Sequence, residues 1–492
     1  MSTFRLSKSK ILAGLQCPKR LYLQTHHPEL VQESASAQAR FAQGNLLGEV
    51  ARTLYEDGIL IGHDDALGLA LAETRAVLSD RSAATVFEAT FEHGGVLVRA
   101  DVLEREEDGT YRMAEVKSST SVKPYHLQDC AVQSWVVNGA GYPLKRVELA
   151  HVDNSFVYEG NGNYQGLLSH NDVTDDILPL MAQVPIWIKS FQEMLAGPMP
   201  PIAAGDQCTS PYECPFLNHC ALPKSEYPVT ILPYAGNLAR ELENSGIRDI
   251  RDIPEGQLVK DVHQRIRRAT LANTYELDAE AREKVAALPY PRYYLDYETI
   301  QFVVPEWTGT RPYEQLPFQW SCHIEHEDGT LMHQEFLDTT GNSPLRPFAE
   351  SLIKTLGKSG PILVYNIGFE RSRTQELATR FPDLADALNA ISDRMVDLLP
   401  IARQHYYHPA MKGSWSIKAV LPTIAPELDY SRLDEVQDGG MAQGAYLEMI
   451  HPDAPDDRRT KLASSLREYC KLDTFAMVRV ARFFEGRQSV AE

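Results

Sequence analysis

The sequence predicts an α/β protein of more than one domain, with two α/β domains joined by a helical connector. Three observations carry that prediction. The 492 residues exceed what one hydrophobic core organises. Residues 34–153 read as helix, three strands, helix, strand. From residue 290 a second pattern begins, in which an apolar strand delivers paired acids and later strands run into helices.

The N-terminal domain is expected over residues 1–225. Residues 34–56 form its first helical stretch, followed by the strands ATVFEATFE, VLVRADVLE and YRMAEVKSS, with turns at His93-Gly94-Gly95 and Asp108-Gly109. HLQDCAVQSWVVNGAG is a helix ending at Gly139, and KRVELAHVD is a further strand. That order is the order of a restriction-endonuclease-like core.

Such a core places an acid on one strand and an acid plus a lysine on the next. Asp101 ends the run VLVRAD, and Glu115 and Lys117, two apart, project from one strand face. Asp101 and Glu115 are expected to share Mg2+ or Mn2+ with a scissile phosphate, while Lys117 orients water or steadies developing charge. This is the PD-(D/E)xK pattern. A solvated strand face also carries Glu and Lys two apart, so the triplet gains its meaning from Asp101 one hairpin upstream and the polar helix downstream. On that helix Asp129 and Gln133, four apart, face Lys117. Glu49 is the candidate upstream ligand, with an exposed helix glutamate as its plainer reading.

Seven cysteines occur, at 17, 130, 208, 214, 220, 322 and 470. An odd total without an export signal argues against a disulfide framework. Cys17 precedes the core, and Cys208, Cys214 and Cys220 follow it at spacings of five. Four thiolates are the ligand count of a 4Fe-4S cluster or, alternatively, of tetrahedral Zn2+. Cys130, Cys322 and Cys470 are expected as ordinary core residues.

Residues 226–289 are expected to be a helical connector, and LARELENSGIRDIRDIPEGQL has the look of a helix-hairpin-helix element. Arg265, Arg267 and Arg268 are its candidate phosphate contacts; the plainer reading is a helical spacer.

The C-terminal domain is expected over residues 290–492. PYPRYYLDYETI carries Asp296 and Glu298 on one strand face, and FQWSCHIEH and HQEFLD complete a meander. PILVYNIGFERSRTQELA reads as a strand entering a helix with Asn366 and Glu370 at the junction. In LREYCKLDTFAMVRV, Tyr469 and Asp473 lie one helical turn apart. Two-metal cleavage needs such an ordered set, with Asp296 bridging both ions, Glu298 and Asp473 completing one, and Glu370 serving the other. Asp397 is either a further acid of the site or a helix cap. Trp415 and Lys418 are expected to contact a strand by stacking and charge. His405 and His408 lie off the motif positions and are expected to face solvent.

These motifs resemble known families. Asp101, Glu115, Lys117 and Gln133, bracketed by four cysteines, resemble AddB and the RecB-like nucleases of CRISPR adaptation, although Val137 stands where those enzymes place an aromatic. The resemblance implies that Cys17, Cys208, Cys214 and Cys220 hold a 4Fe-4S cluster. Asp296, Glu298, Glu370, Tyr469 and Asp473 resemble DnaQ-like, ribonuclease-H-type 3'-5' exonucleases, with Glu370 where Asp is usual. YYLDYETI, MKGSWSIKAVLP and REYCKLDTFAMV are characteristic of a bacterial family defined only as a domain of unknown function, and that likeness extends over essentially the whole chain.

The expected protein is therefore a metal-dependent nuclease acting on nucleic acid, with DNA preferred over RNA on account of the N-terminal module. A ribonuclease, or a nucleic-acid-binding scaffold with one inactive site, is the alternative. No GxxxxGK[ST] loop occurs, so an unwinding partner would be another chain. The net charge of −19 argues against tight nonspecific duplex binding. Acids grouped around a cation are compatible with that charge. No run of about 18 uncharged apolar residues occurs, and the N-terminus lacks a cleavage-like site. A cytoplasmic protein without membrane contact is expected; the oligomeric state is left open.

Overall fold

A computed structural model describes residues 4–33, 35–55, 57–63, 66–80, 83–221 and 225–487. The chain divides into two compact units, Met1–Leu222 with Phe302–Tyr313, and Pro223–Gln301 with Glu314–Glu492. Residues 226–289, expected as a connector, fall within the second unit. Phe302–Tyr313, expected in the C-terminal domain, fall within the first.

The first unit opens with β1 (Leu6–Ser7), α1 (Lys8–Gln16) and α2 (Pro18–His26). Helix α3 (Ala35–Thr53), β2 (Ile59–Leu60) and α4 (Leu67–Asp80) follow. Its centre is β3 (Thr85–His93), β4 (Val96–Arg105), β5 (Tyr111–Lys117), α5 (Pro124–Gly139), β6 (Leu144–Val152) and β7 (Leu168–Asp172). Helices α6 (Thr174–Met181), α7 (Val184–Leu195) and α8 (Leu217–Cys220) complete it.

Among the described residues its strands form one sheet in the order β2-β3-β4-β5-β6-β7, with β1 added beside β4. The hairpins β3-β4 and β4-β5 are antiparallel, and the crossover through α5 makes β5 and β6 parallel. Tight turns at Gly94, Gly95 and Gly109, all at positive φ, allow the two hairpins. Along β4, buried and half-buried residues alternate from Val96 to Asp101, and the alternation then breaks, with Val102 and Leu103 both buried. Helix α5 covers Val98, Ala100 and Met113 with Cys130, Val132, Val136 and Val137, whereas Val102 packs in a separate cluster with Phe87 and Ala114. Val137, at the position where an aromatic was the family expectation, is wholly buried. Each such side chain contributes about 1.5–3 kcal/mol of burial.

The segment Phe302–Tyr313 packs Val303 and Val304 with Leu47, Ala51, Ala150 and Val152. The Tyr313 hydroxyl donates to the Ser118 carbonyl, one residue beyond Lys117.

The second unit begins with α9 (Asn237–Asn244), α10 (Asp261–Ala272), β8 (Glu276–Leu277) and α11 (Ala279–Ala286). Gly246 and Gly256 turn at positive φ after its first two short segments. Then come β9 (Arg292–Ile300), β10 (Leu316–Glu325), β11 (Leu331–Leu337), α12 (Leu345–Thr355), β12 (Ile362–Val364), α13 (Gly368–Arg380) and α14 (Ala385–Asp393). The chain continues through β13 (Met395–Asp397), α15 (Leu398–His405), β14 (Tyr406–Tyr407), α16 (Ile417–Ile424), α17 (Gly439–Ile450) and α18 (Asp456–Glu485).

The main sheet of this unit runs β11-β10-β9-β12-β13. Its first three strands are an antiparallel meander, and β12 and β13 join in parallel. Every residue of β10 is buried, which places that strand inside the layered core. Helix α18 spans 30 residues. Asp456 and Asp457 sit in its first turn, where the helix dipole favours them. Gly486 at φ 72° ends it. Among the described residues no helix is long and apolar enough to cross a membrane.

Candidate metal centres

Within the first unit, β4, β5, α5 and α1 converge on one charged cluster. Asp101 accepts from the Val116 amide at 2.8 Å, which ties β4 to the middle of the acid-lysine triplet on β5. Lys117 Nζ lies 2.6 Å from Glu115 Oε1 and 2.7 Å from Asp129 Oδ2. Gln133 Nε2 donates to Glu115 Oε2 at 2.6 Å and to Asp129 Oδ1 at 3.0 Å. Asp101, Glu115, Lys117, Asp129 and Gln133 are thus brought together as the strand and helix periods require.

Sequence reasoning missed Lys8. From the first position of α1 its ammonium reaches Glu115 Oε1 at 2.8 Å and Asp129 Oδ1 at 3.3 Å. A lysine at a helix N-terminus opposes the helix dipole, and that local conflict was the available signal. Burial alone lowers the Lys8 pKa, but the carboxylates of Asp129 and Glu115 outweigh it and leave it raised. Asp129 is held below the usual carboxylate range: burial opposes this, and the Lys117 and Lys8 charges win. For Asp101 the balance goes the other way: burial and the Glu115 charge push its carboxyl up to about 8 against the pull of Lys8 and Lys117.

These groups border a cleft of about 750 Å³ that Lys8, Glu49, Arg52, Glu88, Arg99, Asp101, Glu115 and Lys117 help to line. Glu49 is exposed at its edge, on α3. Glu88, on β3 at the place opposite Asp101, has φ 54°, a left-handed backbone that a non-glycine residue rarely adopts.

The expected cysteine quartet also gathers within this unit. Cys208, Cys214 and Cys220 pack with Leu23 and Phe216. Beside Cys17, Gln16 Nε2 donates to the carbonyls of Gln207 and Tyr212, both at 2.7 Å, so the two ends of the module meet. Burial raises the Cys214 thiol, and Cys208 and Cys17 are near enough to add to the effect. All four are free thiols. Four cysteines from two chain segments match the ligand count of an iron-sulfur cluster or zinc, although no three of their sulfurs lie within 4.8 Å of one another.

In the second unit, Asp296 and Glu298 on β9 meet Glu370 on α13 and Tyr469, Cys470 and Asp473 on α18. Burial, then the charges of Asp473, Glu298 and Glu370, pushes Asp296 well above the carboxylate range. Glu298 rises to about 8 through burial and Asp473, against the pull of Lys418. Burial, partly offset by its own backbone amide, lifts Glu370 to about 8, and Glu370 Oε2 is buried without a hydrogen-bond partner. Asp473 reaches about 6, because a hydrogen bond from Tyr430 and the Lys418 charge restrain the effect of burial. Crowded, buried carboxylates with an unsatisfied oxygen suit a divalent cation, which relieves the repulsion that otherwise favours protonation.

The surrounding hydrogen bonds orient this cluster. Tyr430 OH donates to Asp473 Oδ1 at 2.6 Å. Lys418 Nζ donates to Tyr469 OH at 2.9 Å and to the Gln437 carbonyl at 3.0 Å, and lies over both tyrosine rings. Asp397 caps α15 through the Leu399 amide and also accepts from the Asn366 and Ile367 amides at 3.0 and 3.1 Å. It therefore holds the junction that delivers Glu370, where Asn366 has φ 84°.

Several expectations are corrected. Trp415 is buried, with its indole N–H donating to the Tyr406 carbonyl at 2.7 Å, so it is not a stacking surface. Lys418 turns inward to Tyr469. His405 is buried against Lys284 at 2.8 Å instead of facing solvent, and His408 caps a short 3-10 turn through the Ala410 amide. Arg265 pairs with Asp278, Arg268 with Glu276, and Arg267 donates to the Ile253 carbonyl, so this trio is engaged within its own unit. Cys130 and Cys322 are buried core residues as expected, whereas Cys470 faces Asp296.

Comparisons with known proteins give sequence relatives without described activities. The chain is 28% identical over 210 residues to "Uncharacterized protein MG366 homolog" of Mycoplasma pneumoniae, covering 39% of this chain and 32% of the relative. It is 25% identical over 236 residues to "Uncharacterized protein UU173" of Ureaplasma parvum serovar 3, covering 43% and 34%. The match thus spans about a third of the length of these curated relatives. A solved structure described as "Crystal structure of SSO0001" aligns over 37% of this chain and 75% of its own, at 14% identity and a TM-score of 0.19. Residues 293–416, which begin at the strand carrying Asp296 and Glu298, match the family described as Domain of unknown function (DUF2779), and through this segment the chain is similar to that family.

Proposed function

We propose that the protein is a metal-dependent nuclease with a DnaQ-like 3'-5' exonuclease site in the second unit and a RecB-like DNA nuclease site in the first. The finer fold reading goes with it: a restriction-endonuclease-like first domain and a ribonuclease-H-like second. One observation carries the proposal: the buried carboxyls of Glu298, Glu370 and Asp473 crowd around the half-buried Asp296, with Glu370 Oε2 unpartnered. Stability alone does not favour such repulsion, whereas binding Mg2+ or Mn2+ does. When bound, these ions supply Lewis acidity at the scissile phosphate and lower the pKa of water.

The chain's own residues supply the rest. Asp296 and Glu298 project from one face of β9 and Asp473 from α18, so rigid elements fix their spacing. Tyr430 orients Asp473, and Lys418 holds the Tyr469 hydroxyl at the edge of the cluster. In the first unit Asp101 and Glu115 are the proposed ligands, Gln133 fixes the Glu115 carboxylate, and Lys117 supplies positive charge beside it. The four cysteines serve structure by holding α2 and the segment after α7 around a 4Fe-4S cluster, or around zinc. DNA processing, repair or defence is the corresponding role.

A second reading, in which only the C-terminal site hydrolyses, draws on Lys8 and Lys117. Their ammonium groups already neutralise Glu115 and Asp129.

End-labelled single- and double-stranded DNA and RNA, incubated with Mg2+ or Mn2+, test the proposal. Stepwise shortening from 3' ends that disappears in Asp296→Ala is expected, as is residual DNA cleavage in that variant that disappears when Lys117→Ala is added. No hydrolysis of any substrate with either ion would leave a binding protein.

A further inference from the structure

Cys470 lies inside the carboxylate cluster, and the chemistry proposed above gives a thiol no task. Its Sγ is 3.8 Å from Asp296 Oδ2. That sulfur, one oxygen of Asp296 and one of Glu298 all fall within 4.8 Å of one another. Cys470 is three residues before Asp473 on α18, so the two side chains share a helix face. The residue is fully buried, and so is the unpartnered Oε2 of Glu370, which belongs to the same group of acids. A cysteine retained for packing alone needs no carboxylate beside its sulfur. This one points at two carboxylates.

One sulfur and two oxygens at this spread match the donors of a single four-coordinate ion. Zinc–sulfur bonds of about 2.3 Å and zinc–oxygen bonds of about 2.1 Å place neighbouring sulfur and oxygen ligands about 3.6 Å apart. Thiolate also changes which cation is preferred, since carboxylates alone favour hard ions such as Mg2+ and a sulfur ligand favours zinc-class ions.

We infer that Asp296, Glu298 and Cys470 form a mixed carboxylate–thiolate site for a thiophilic divalent cation of the zinc class. Glu370 and Asp473 are left to serve a harder ion. On binding, the Cys470 thiol releases its proton to solvent as the sulfur–metal bond forms, with no change of oxidation state. The inference deepens the nuclease reading and rests on it for what the ion does, but the binding of the ion stands on the donor set alone.

The test titrates the metal-free full-length chain with Cd2+ and follows the ultraviolet sulfur-to-cadmium charge-transfer absorption, with Zn2+ and Mg2+ binding measured by calorimetry. Cys17, Cys208, Cys214 and Cys220 also bind Cd2+, so the diagnostic signal is the component removed by Cys470→Ser. The same component is expected to vanish in Asp296→Asn, whose thiol is intact, because the carboxylates anchor the ion. Zinc affinity at this centre is expected to fall about tenfold or more in Cys470→Ser, with Mg2+ affinity changed less than about twofold. If Cys470→Ser does not fold, as read by circular dichroism, Asp296→Asn alone carries the test. A charge-transfer signal identical in wild type, Cys470→Ser and Asp296→Asn overturns the inference. Failure to hydrolyse nucleic acid with the signal present sinks the nuclease reading and leaves this site standing.

Discussion

The ammonium of Lys8 lies 2.8 Å from Oε1 of Glu115, joining the first helix of the chain to a strand 107 residues later. The same helix ends beside Cys17, its C-cap, so one short rod links the charged cleft to the cysteine pocket. Lys117 approaches the same Glu115 oxygen at 2.6 Å, and the two lysines together balance Glu115 and Asp129.

Removing the Lys8 charge with its packing kept, as in Lys8→Met, leaves a buried carboxylate short of one hydrogen bond. A loss of about 1.5–3 kcal/mol in the metal-free protein is expected. Mn2+ should restore more stability to this variant than to wild type, since it replaces the missing cation. Urea unfolding with and without Mn2+ measures both, and unchanged stability would remove Lys8 from the site.

Asp296→Asn should separate function from stability. Hydrolysis should be lost, yet the metal-free variant at about pH 8 should gain about 0.5–2 kcal/mol, because one of several mutually repelling carboxylates is gone. Lower stability of the variant under those conditions would mean that the cluster is held by contacts other than a cation.

The pH dependence has a definite sign. Glu298 and Glu370 have folded-state values of about 8, above their ordinary 4.5, and Asp296 is raised as well. Between those values the native protein holds protons that the unfolded chain has released, so their contribution to stability falls as pH rises from about 4.5 to about 8. A divalent ion must displace those protons, which makes binding stronger at high pH. The rise in melting temperature caused by Mn2+ should therefore be larger at about pH 8.5 than at about pH 6, and reduced in a variant lacking Asp296. Equal shifts at both values would contradict the raised carboxyls.

The cysteine pocket predicts colour and composition. Protein purified without oxygen should be brown and contain iron and acid-labile sulfide if the quartet holds 4Fe-4S, or be colourless with one zinc otherwise. Cys214→Ser should lose that metal and, because α1 ends at Cys17, should also loosen Lys8 and abolish cleavage by the first unit. Retained metal in Cys214→Ser would show that the four thiols do not act as one set.

The local elements were legible because their signals are local. Alternation placed β3, β4 and β5 within a residue or two, glycine turns placed their hairpins, and the spacing of Tyr469 and Asp473 placed both on α18. By those periods alone the sequence determined that Glu115 shares a face with Lys117, Asp129 with Gln133, and Asp296 with Glu298. The tertiary structure decided what depends on chain segments far apart. It brought Lys8 to Glu115, turned Lys418 and Trp415 inward, engaged Arg265 and Arg268 with acids of their own unit, and set Cys470 against Asp296. Periodicity reports which face of an element a side chain occupies, but not what packs there, because burial and pairing are set by contacts between elements that no local pattern encodes.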